Sequence, residues 1–165
     1  MEEEILKLLR ELAEKLPRFP DGRIDYSNSD VAPVITIFIR YEDKILLLRR
    51  SDKVGTYKGK WNTVAGYLDE VKPIREKVLE ELLEEVGIRE DEISSINFGE
   101  SYKFVDQLIN RTWIVYPVLV DLKERPEIKL NWEHEEYKWI DPKELKNYDT
   151  VPKLEESLKR VLNLN

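Results

Sequence analysis

The sequence is poor in several residue types, and each scarcity excludes a class of site. None of its 165 residues is cysteine, so disulfides, zinc–thiolate sites, iron–sulfur clusters and cysteine nucleophiles are excluded. Without thiolates, the oxygen donors of the chain favour metals such as magnesium or manganese. The single histidine, His134, has a side chain that titrates near neutral pH when unperturbed. We nevertheless interpret it as a solvent-facing or structural residue rather than as a general base.

Long apolar runs and an excess of basic residues are also missing. No stretch has the uninterrupted apolar length that a bilayer requires, and the opening segment Met1–Leu16 is charged throughout. We therefore expect a cytoplasmic protein without a membrane partner. The formal net charge is −7, whereas binding along a nucleic-acid backbone requires a basic surface. We expect no long nucleic-acid partner, but a small phosphorylated substrate bridged by metal is compatible with this charge.

Length and hydrophobic periodicity indicate one compact domain preceded by a helix. The chain has 165 residues, 41% of them hydrophobic, which suffices for one buried core. Apolar residues recur at helical spacing in Glu2–Leu16, and Arg18–Asp30 is typical of a connector. We therefore divide the chain into residues 1–30, an N-terminal amphipathic helix with its connector, and residues 31–165, the main domain.

Segments rich in Val, Ile and Leu predict the strands of the main domain. The predicted strands are Val31–Arg40, Lys44–Arg50, Trp61–Ala65, Ile93–Tyr102, Thr112–Leu122 and Glu136–Ile140. The Tyr-Glu-Asp segment between the first two indicates a tight hairpin. A helix should begin near Pro73 and end at Gly87, with a short helix near Pro142–Leu145 and a last one at Val151–Leu162. Strands on both sides of a central helix indicate the α/β class, with a mixed sheet between helices.

The central helix carries a concentration of carboxylates. At about 100° per residue, its apolar side chains form one face and its glutamates gather on the other. These glutamates are Glu80, Glu81, Glu84 and Glu85. Like charges four residues apart, near the negative end of the helix dipole, each cost from a few tenths of a kcal/mol to about 1 kcal/mol. A bound cation would reverse these terms. A solvated acidic face is the alternative, and the glutamates alone give the two interpretations equal weight.

The spacing of the glycines around these glutamates decides between the two interpretations. The Nudix box reads G-x5-E-x7-R-E-U-x-E-E-x-G-U, where U is a bulky aliphatic residue. Its register is matched by Gly66, Glu81, Leu82, Glu84, Glu85, Gly87 and Ile88, seven of the nine specified positions. The chain therefore resembles the Nudix hydrolases from about Val31 to Leu162. The resemblance implies an α/β/α sandwich, to which the N-terminal helix is an addition. It also implies hydrolysis of the diphosphate bond in a nucleoside diphosphate linked to another group, with Mg²⁺ or Mn²⁺ as cofactor.

The resemblance also implies roles for the residues of the box. Glu84 and Glu85 would be metal ligands, and Glu81 would be a ligand or the base that deprotonates the attacking water. The Gly66 carbonyl would add a backbone ligand.

Further candidates lie outside the box. Glu133 resembles the downstream glutamate of many family members, which is a ligand or general base, and Glu136 is the second choice for that position. A charged loop is the alternative for both. Of the two arginines that end a predicted strand, Arg50 is preferred over Arg49 for pairing with phosphate oxygens. A stacking platform for a base is a weaker hypothesis than core packing for the aromatic residues, which are Trp61, Tyr67, Phe104 and Trp139.

Two positions depart from the box, because Lys72 stands where the family has Glu and Glu80 stands where it has Arg. These changes are opposite in sign. We hypothesise that Lys72 lies in the preceding loop and folds back to pair with Glu80, and that this ion pair steers Glu81. A decayed box with weakened metal binding is the alternative. The rival function is therefore a Nudix-fold nucleotide-binding or regulatory module that has lost turnover. A homodimer formed through the N-terminal helix is a further hypothesis.

Overall fold

A computed structural model describes residues 1–162, which form three α-helices and eight strands. The helices are α1 (Glu2–Lys15), α2 (Ile74–Val86) and α3 (Leu154–Leu162). The strands are β1 (Val31–Tyr41), β2 (Lys44–Arg50), β3 (Trp61–Asn62), β4 (Val64–Tyr67), β5 (Ile93–Phe98), β6 (Tyr102–Asp106), β7 (Arg111–Leu122) and β8 (His134–Ile140). Short 3₁₀ helices occupy Glu90–Glu92 and Pro142–Asn147. No helix within residues 1–162 has the length and apolar content needed to cross a membrane.

The sheet is mixed, as expected. Its strand order is β3-β2-β1-β7-β5, with β4 also paired to β1, β6 to β7 and β8 to β2. The central pair, β1 and β7, is parallel from Val31↔Thr112 to Arg40↔Asp121, and the other pairs are antiparallel. The predicted hairpin joins β1 to β2 through Glu42 and Asp43, whose φ angles of 47° and 62° are those of a tight type I′ turn.

Helices cover both faces of the sheet. Alternation along β1 directs Ile35 and Ile37 toward a core shared with α1 and α2, and Phe38 toward a second core shared with α3. All three side chains are fully buried. Full burial of such a side chain contributes roughly 1.5–3 kcal/mol relative to exposure. The α/β/α sandwich predicted from the sequence is therefore confirmed.

The N-terminal segment contacts α2 and the loop that precedes it. Ile5 and Leu9 of α1 are buried in the same core as α2. A Glu2 carboxylate oxygen accepts a hydrogen bond from the Ile74 N–H at 3.2 Å, which satisfies one unpaired donor at the start of α2. In the connector, the Tyr26 hydroxyl donates to the Leu68 carbonyl at 2.6 Å. The division into residues 1–30 and 31–165 stays a prediction.

The predicted strand Ile93–Tyr102 is wrong, because the structure divides it. The chain leaves the β pattern after Phe98 and re-enters it at Tyr102, and both parts pair with β7. The break lies at Gly99, where a Cβ atom would lie 2.8 Å from the Arg160 carbonyl oxygen of α3. The close passage of α3 therefore requires glycine here, and the sequence pattern did not predict the second strand, β6.

Other boundaries also differ from the prediction. Strand Trp61–Ala65 is interrupted at Thr63, whose hydroxyl donates to the Ile37 carbonyl at 2.6 Å. Helix α3 begins at Leu154 rather than Val151, because Lys153 has a left-handed φ of 66°. Strand β8 begins at His134, two residues before the predicted Glu136.

Candidate active site

Helix α2 orients its glutamates by burying its other face. The buried apolar residues of the helix are Ile74, Val78, Leu82 and Val86. The helix ends at Gly87, whose φ of 73° is the left-handed conformation that favours glycine. The Gly87 N–H donates to the Leu83 carbonyl at 3.1 Å. This ending is the one expected from the sequence.

Glu81 lies against Gly66 in β4. A Cβ atom on Gly66 would lie 2.7–2.9 Å from the carboxyl atoms of Glu81, which is too close for a side chain. A side chain at position 66 would therefore displace this carboxylate. The Glu81 side chain is 12% exposed. Burial raises its pKa, and the positive charge of Lys77 opposes that shift.

Glu85, Glu133 and His134 meet beside Glu81. The side chains of Glu85 and His134 are each 1% exposed, and His134 Nδ1 lies 3.8 Å from Glu85 Oε1. Burial raises the pKa of Glu85 well above its ordinary value, and the negative charge of Glu133 adds to that shift. Burial also raises the pKa of Glu133 and lowers the pKa of His134 to about 4. Of the two interpretations of His134 from the sequence, solvent-facing or structural, the solvent-facing one is wrong, because the start of β8 directs this side chain inward.

The two arginines at the end of β2 face different surroundings. Arg50 lines the same cavity as Glu133. Burial lowers the pKa of Arg50, and the negative charge of Glu133 opposes that shift. Arg49 instead donates to the Gly59 carbonyl at 3.1 Å and to Glu136 at 3.2 Å. Glu136 is thus paired with Arg49 outside the cavity, and the structure places Arg50 and Glu133 in it.

The charge exchange in the box forms an ion pair. Lys72 lies in the loop before α2, and its ammonium group contacts Glu80, as hypothesised. The ammonium group that approaches Glu81, at 3.7 Å, belongs to Lys77. This buried lysine, 8% exposed, also donates to Asp69 at 2.8 Å. The contact between Lys72 and Glu80 is present, but the lysine that contacts Glu81 is Lys77, which lies outside the specified positions of the box.

A cavity of about 400 Å³ has carboxylates on one side and aromatic residues on the other. On the side of β2 and α2 it is lined by Glu81, Glu133 and the exposed Glu84, together with Arg50. Across β1, on the side of β6 and β7, five aromatic residues among residues 1–162 line it. These are Tyr102, Phe104 and Trp113, with Tyr67 contributed by β4 and Tyr57 by the loop after β2. Of the four aromatic residues considered from the sequence, Tyr67 and Phe104 thus line the cavity. Trp61 and Trp139 pack with the two cores.

The aromatic surface is held in place by its own contacts. Tyr67 stacks on Tyr26 with ring centroids 5.5 Å apart and lies 5.9 Å from the Trp113 ring. The guanidinium of Arg111 donates to the Tyr67 hydroxyl at 2.8 Å and lies 5.3 Å from the Trp113 ring centroid. Phe104 is the cross-strand partner of Trp113. These rings offer flat apolar surface of the kind on which a planar ligand stacks.

The donor set fits a divalent cation. Both carboxylate oxygens of Glu85 and both ring nitrogens of His134 are buried without a hydrogen-bond partner among residues 1–162. One ligand atom from each of Glu85, Glu133 and His134 lies within 4.8 Å of the other two. Buried polar atoms are rarely left unpaired, because each then loses its hydration without compensation. A cation would satisfy these atoms together.

The chain belongs to the Nudix hydrolase family, because the family model of the NUDIX domain matches residues 30–161. It is a pyrophosphohydrolase of this family, whose members act on nucleoside diphosphate derivatives. Nudix hydrolases generally use divalent metals such as Mg²⁺. The resemblance of the box to the family pattern is therefore confirmed at the level of the family.

Individual relatives agree with this assignment. Nucleoside triphosphatase NudI of Escherichia coli O139:H28 is 24% identical over 121 residues, which cover 70% of this chain and 86% of that protein. The MutT protein from Methanosarcina mazei Go1 has a crystal structure with a TM-score of 0.66 at 25% identity, covering 82% of this chain and 96% of that chain. A Caenorhabditis elegans Ap4A hydrolase shares the fold, with a TM-score of 0.60 at 17% identity and coverage of 81% and 95%.

Proposed function

We propose that this chain hydrolyses a phosphoanhydride bond in a nucleoside diphosphate linked to another group, and that it requires Mg²⁺ or Mn²⁺. The observation that carries the proposal is the convergence of three carboxylates and a guanidinium at one side of a cavity whose other side is aromatic. These groups belong to Glu81, Glu84, Glu133 and Arg50. A diphosphate with its metal suits the charged side. A nucleobase suits the aromatic side.

Each charged residue of the site has a role in this proposal. Glu84, Glu85, Glu81 and the Gly66 carbonyl would hold the metal. When bound, a divalent metal neutralises phosphate charge and lowers the pKa of a coordinated water. Glu81 is a ligand or the base that takes a proton from the attacking water, and Glu133 is the alternative ligand or base. The raised pKa of Glu133 brings this carboxyl closer to the range in which a general base works at neutral pH.

Arg50 would bind the phosphate oxygens. Its half-buried guanidinium lines the cavity beside Glu133, and guanidinium groups pair with phosphate through two parallel hydrogen bonds. Holding the diphosphate in one orientation aligns the attacked phosphorus with the water and its base. Water adds to that phosphorus, the bridging P–O bond breaks, and the two products leave with their phosphates. The cytoplasmic location and the homodimer expected from the sequence stay predictions.

The test is a substrate screen with Mg²⁺ and a pair of matched variants. The screen includes nucleoside triphosphates and diadenosine tetraphosphate, which correspond to the names of the relatives, and nucleotide sugars. Glu84→Gln should lower kcat by about a hundredfold or more, since it removes a charge held against the reacting group. Glu76→Gln, an exposed change on the first turn of the same helix, should leave kcat within about twofold.

The outcome distinguishes a hydrolase from a nucleotide-binding or regulatory module that has lost turnover. Turnover by the wild type and its loss in Glu84→Gln support hydrolysis at this helix. Equal product from wild type and Glu84→Gln would refute catalysis there. Metal-dependent binding of a nucleotide without turnover on any substrate would favour the weakened binding module instead.

A further inference from the structure

The side chain of His134 is buried, but no hydrogen bond within residues 1–162 compensates for its lost hydration. It is the single histidine of the chain, and its side chain is 1% exposed at the start of β8. Neither ring nitrogen has a hydrogen-bond partner among residues 1–162. A neutral imidazole has one donor and one acceptor nitrogen, so burial without partners is costly at both.

Glu85, a polar neighbour of His134, also lacks hydrogen-bond partners among residues 1–162. Both oxygens of Glu85 are buried and unpaired within the described residues, and Oε1 lies 3.8 Å from His134 Nδ1. Glu133 contributes a third ligand atom, and the three atoms lie within 4.8 Å of one another. Three groups with free lone pairs therefore face the same small volume. A cation that accepts a lone pair from each of the three groups would stabilise this arrangement.

An ion pair between a protonated His134 and Glu85 is a weaker explanation of this geometry. The separation of 3.8 Å exceeds a hydrogen bond. The neutral ring keeps a lone pair, and a neutral imidazole with a lone pair is a metal ligand.

We propose that His134 supplies a nitrogen ligand to the divalent metal held by Glu85 and Glu133. The inference rests on the proposed function, because it concerns the metal of the same site. An imidazole nitrogen suits the first-row transition metals, of which Mn²⁺ is one, better than it suits the hard Mg²⁺, which prefers oxygen ligands. The site of this chain accordingly selects Mn²⁺ over Mg²⁺ more strongly than a site built from its carboxylates alone.

The decisive experiment is pulsed electron paramagnetic resonance of the full chain loaded with one equivalent of Mn²⁺. The wild-type spectrum should show coupling to a directly bound ¹⁴N nucleus. Protein labelled with ¹⁵N-histidine should replace that signal with ¹⁵N coupling, and the label is unambiguous because there is one histidine. This arm uses wild-type protein and therefore does not depend on whether a variant folds.

Variants add a second readout in metal affinity. His134→Gln should lose the nitrogen coupling and weaken Mn²⁺ binding, measured by calorimetry, by about tenfold or more, with a smaller loss for Mg²⁺. The control is Glu136→Gln, on the same strand but paired with Arg49 outside the cavity, which should keep both the coupling and the affinity.

The outcomes distinguish this inference from the proposed function. Mn²⁺ that binds without histidine nitrogen coupling would overturn the role of His134 and leave the carboxylate site standing. A wild-type chain that binds neither Mn²⁺ nor Mg²⁺ would contradict the proposed function, and this inference with it.

Discussion

At the scale of single residues, the contact between Gly66 and Glu81 fixes the position of a carboxylate at the site. Gly66→Ala would place a methyl group 2.7–2.9 Å from the Glu81 carboxyl atoms, so Glu81 must move. A displacement of about 1 Å in a reacting group lowers the rate by up to about a hundredfold. We expect kcat of Gly66→Ala to fall by about tenfold to a hundredfold in steady-state assays.

The matched control is Gly55→Ala, because a Cβ atom at Gly55 meets nothing within 4 Å. Its kcat should stay within about twofold of wild type. If Gly66→Ala were as active as Gly55→Ala, the position of Glu81 would not limit the reaction.

The sequence predicted single residues best where a spaced pattern specified them. Gly66, Glu81 and Glu85 were found because the box fixes their register, and the structure brings them together. His134 and Lys77 were not found, because their roles depend on burial beside residues that are distant in sequence. The one signal available for Lys77 was its spacing of four residues from Glu81 on a predicted helix.

At the scale of elements, the loop before α2 is joined to the helix through the Lys72–Glu80 ion pair. The double exchange Lys72→Glu with Glu80→Arg should retain that pair with its charges reversed. We expect the double variant to keep kcat within about fivefold of wild type, whereas each single change brings like charges together and lowers kcat further. Steady-state kinetics on all four proteins measures the coupling. Equal losses in the three variants would show that the ion pair does not support the site.

Strand β6 offers a test of the aromatic side of the cavity. Phe104 lines the cavity, whereas Val105 points away from it and is 58% exposed. Removing a ring that stacks on a base costs about 1–3 kcal/mol. Phe104→Ala should therefore raise KM for a nucleotide substrate by about tenfold with little change in kcat, and Val105→Ala should change neither. An unchanged KM in Phe104→Ala would place the base elsewhere.

Local sequence patterns predicted most elements, and they failed where tertiary contacts interrupt a strand or helix. Enrichment in Val, Ile and Leu identified β1, β2 and β7 closely, because these strands pair over long registers. It joined β5 to the following turn and overlooked β6, since the break at Gly99 is imposed by α3 passing close to the backbone. The acidic side of the cavity was therefore predictable, while its aromatic side was largely not.

At the scale of the whole molecule, the buried carboxyls make stability depend on pH and metal. Burial raises the pKa of Glu85, Glu81 and Glu133 above the ordinary value of 4.5. Above about pH 4.5 these carboxyls lose their protons in the unfolded chain, whereas the folded chain still holds them. Their contribution to the free energy of unfolding therefore falls as pH rises. Carboxyls with a lowered pKa, such as Glu70, act in the opposite direction.

The measurement is therefore a comparison of wild type with Glu85→Gln in thermal melts of metal-free protein. Glu85→Gln removes the charge that burial disfavours, so its Tm should exceed that of wild type by a margin that grows from pH 5 to pH 8. Saturating Mg²⁺, at about a hundred times its Kd, should stabilise the wild type by about 2.7 kcal/mol, or about 5–10 °C in Tm. If Mg²⁺ raised the Tm of Glu85→Gln as much as that of wild type, Glu85 would not be a ligand of the metal.

The central claim is that the acidic side of the cavity uses a divalent metal to direct water at a phosphoanhydride bond. The most direct measurement is mass spectrometry of the products formed in H₂¹⁸O from the best substrate of the screen, with Mg²⁺ and with chelator. Metal-dependent hydrolysis should place one ¹⁸O atom in one of the two phosphate products when Mg²⁺ is present, and chelator should abolish this product. Hydrolysis that continues at the same rate in chelator would contradict this claim.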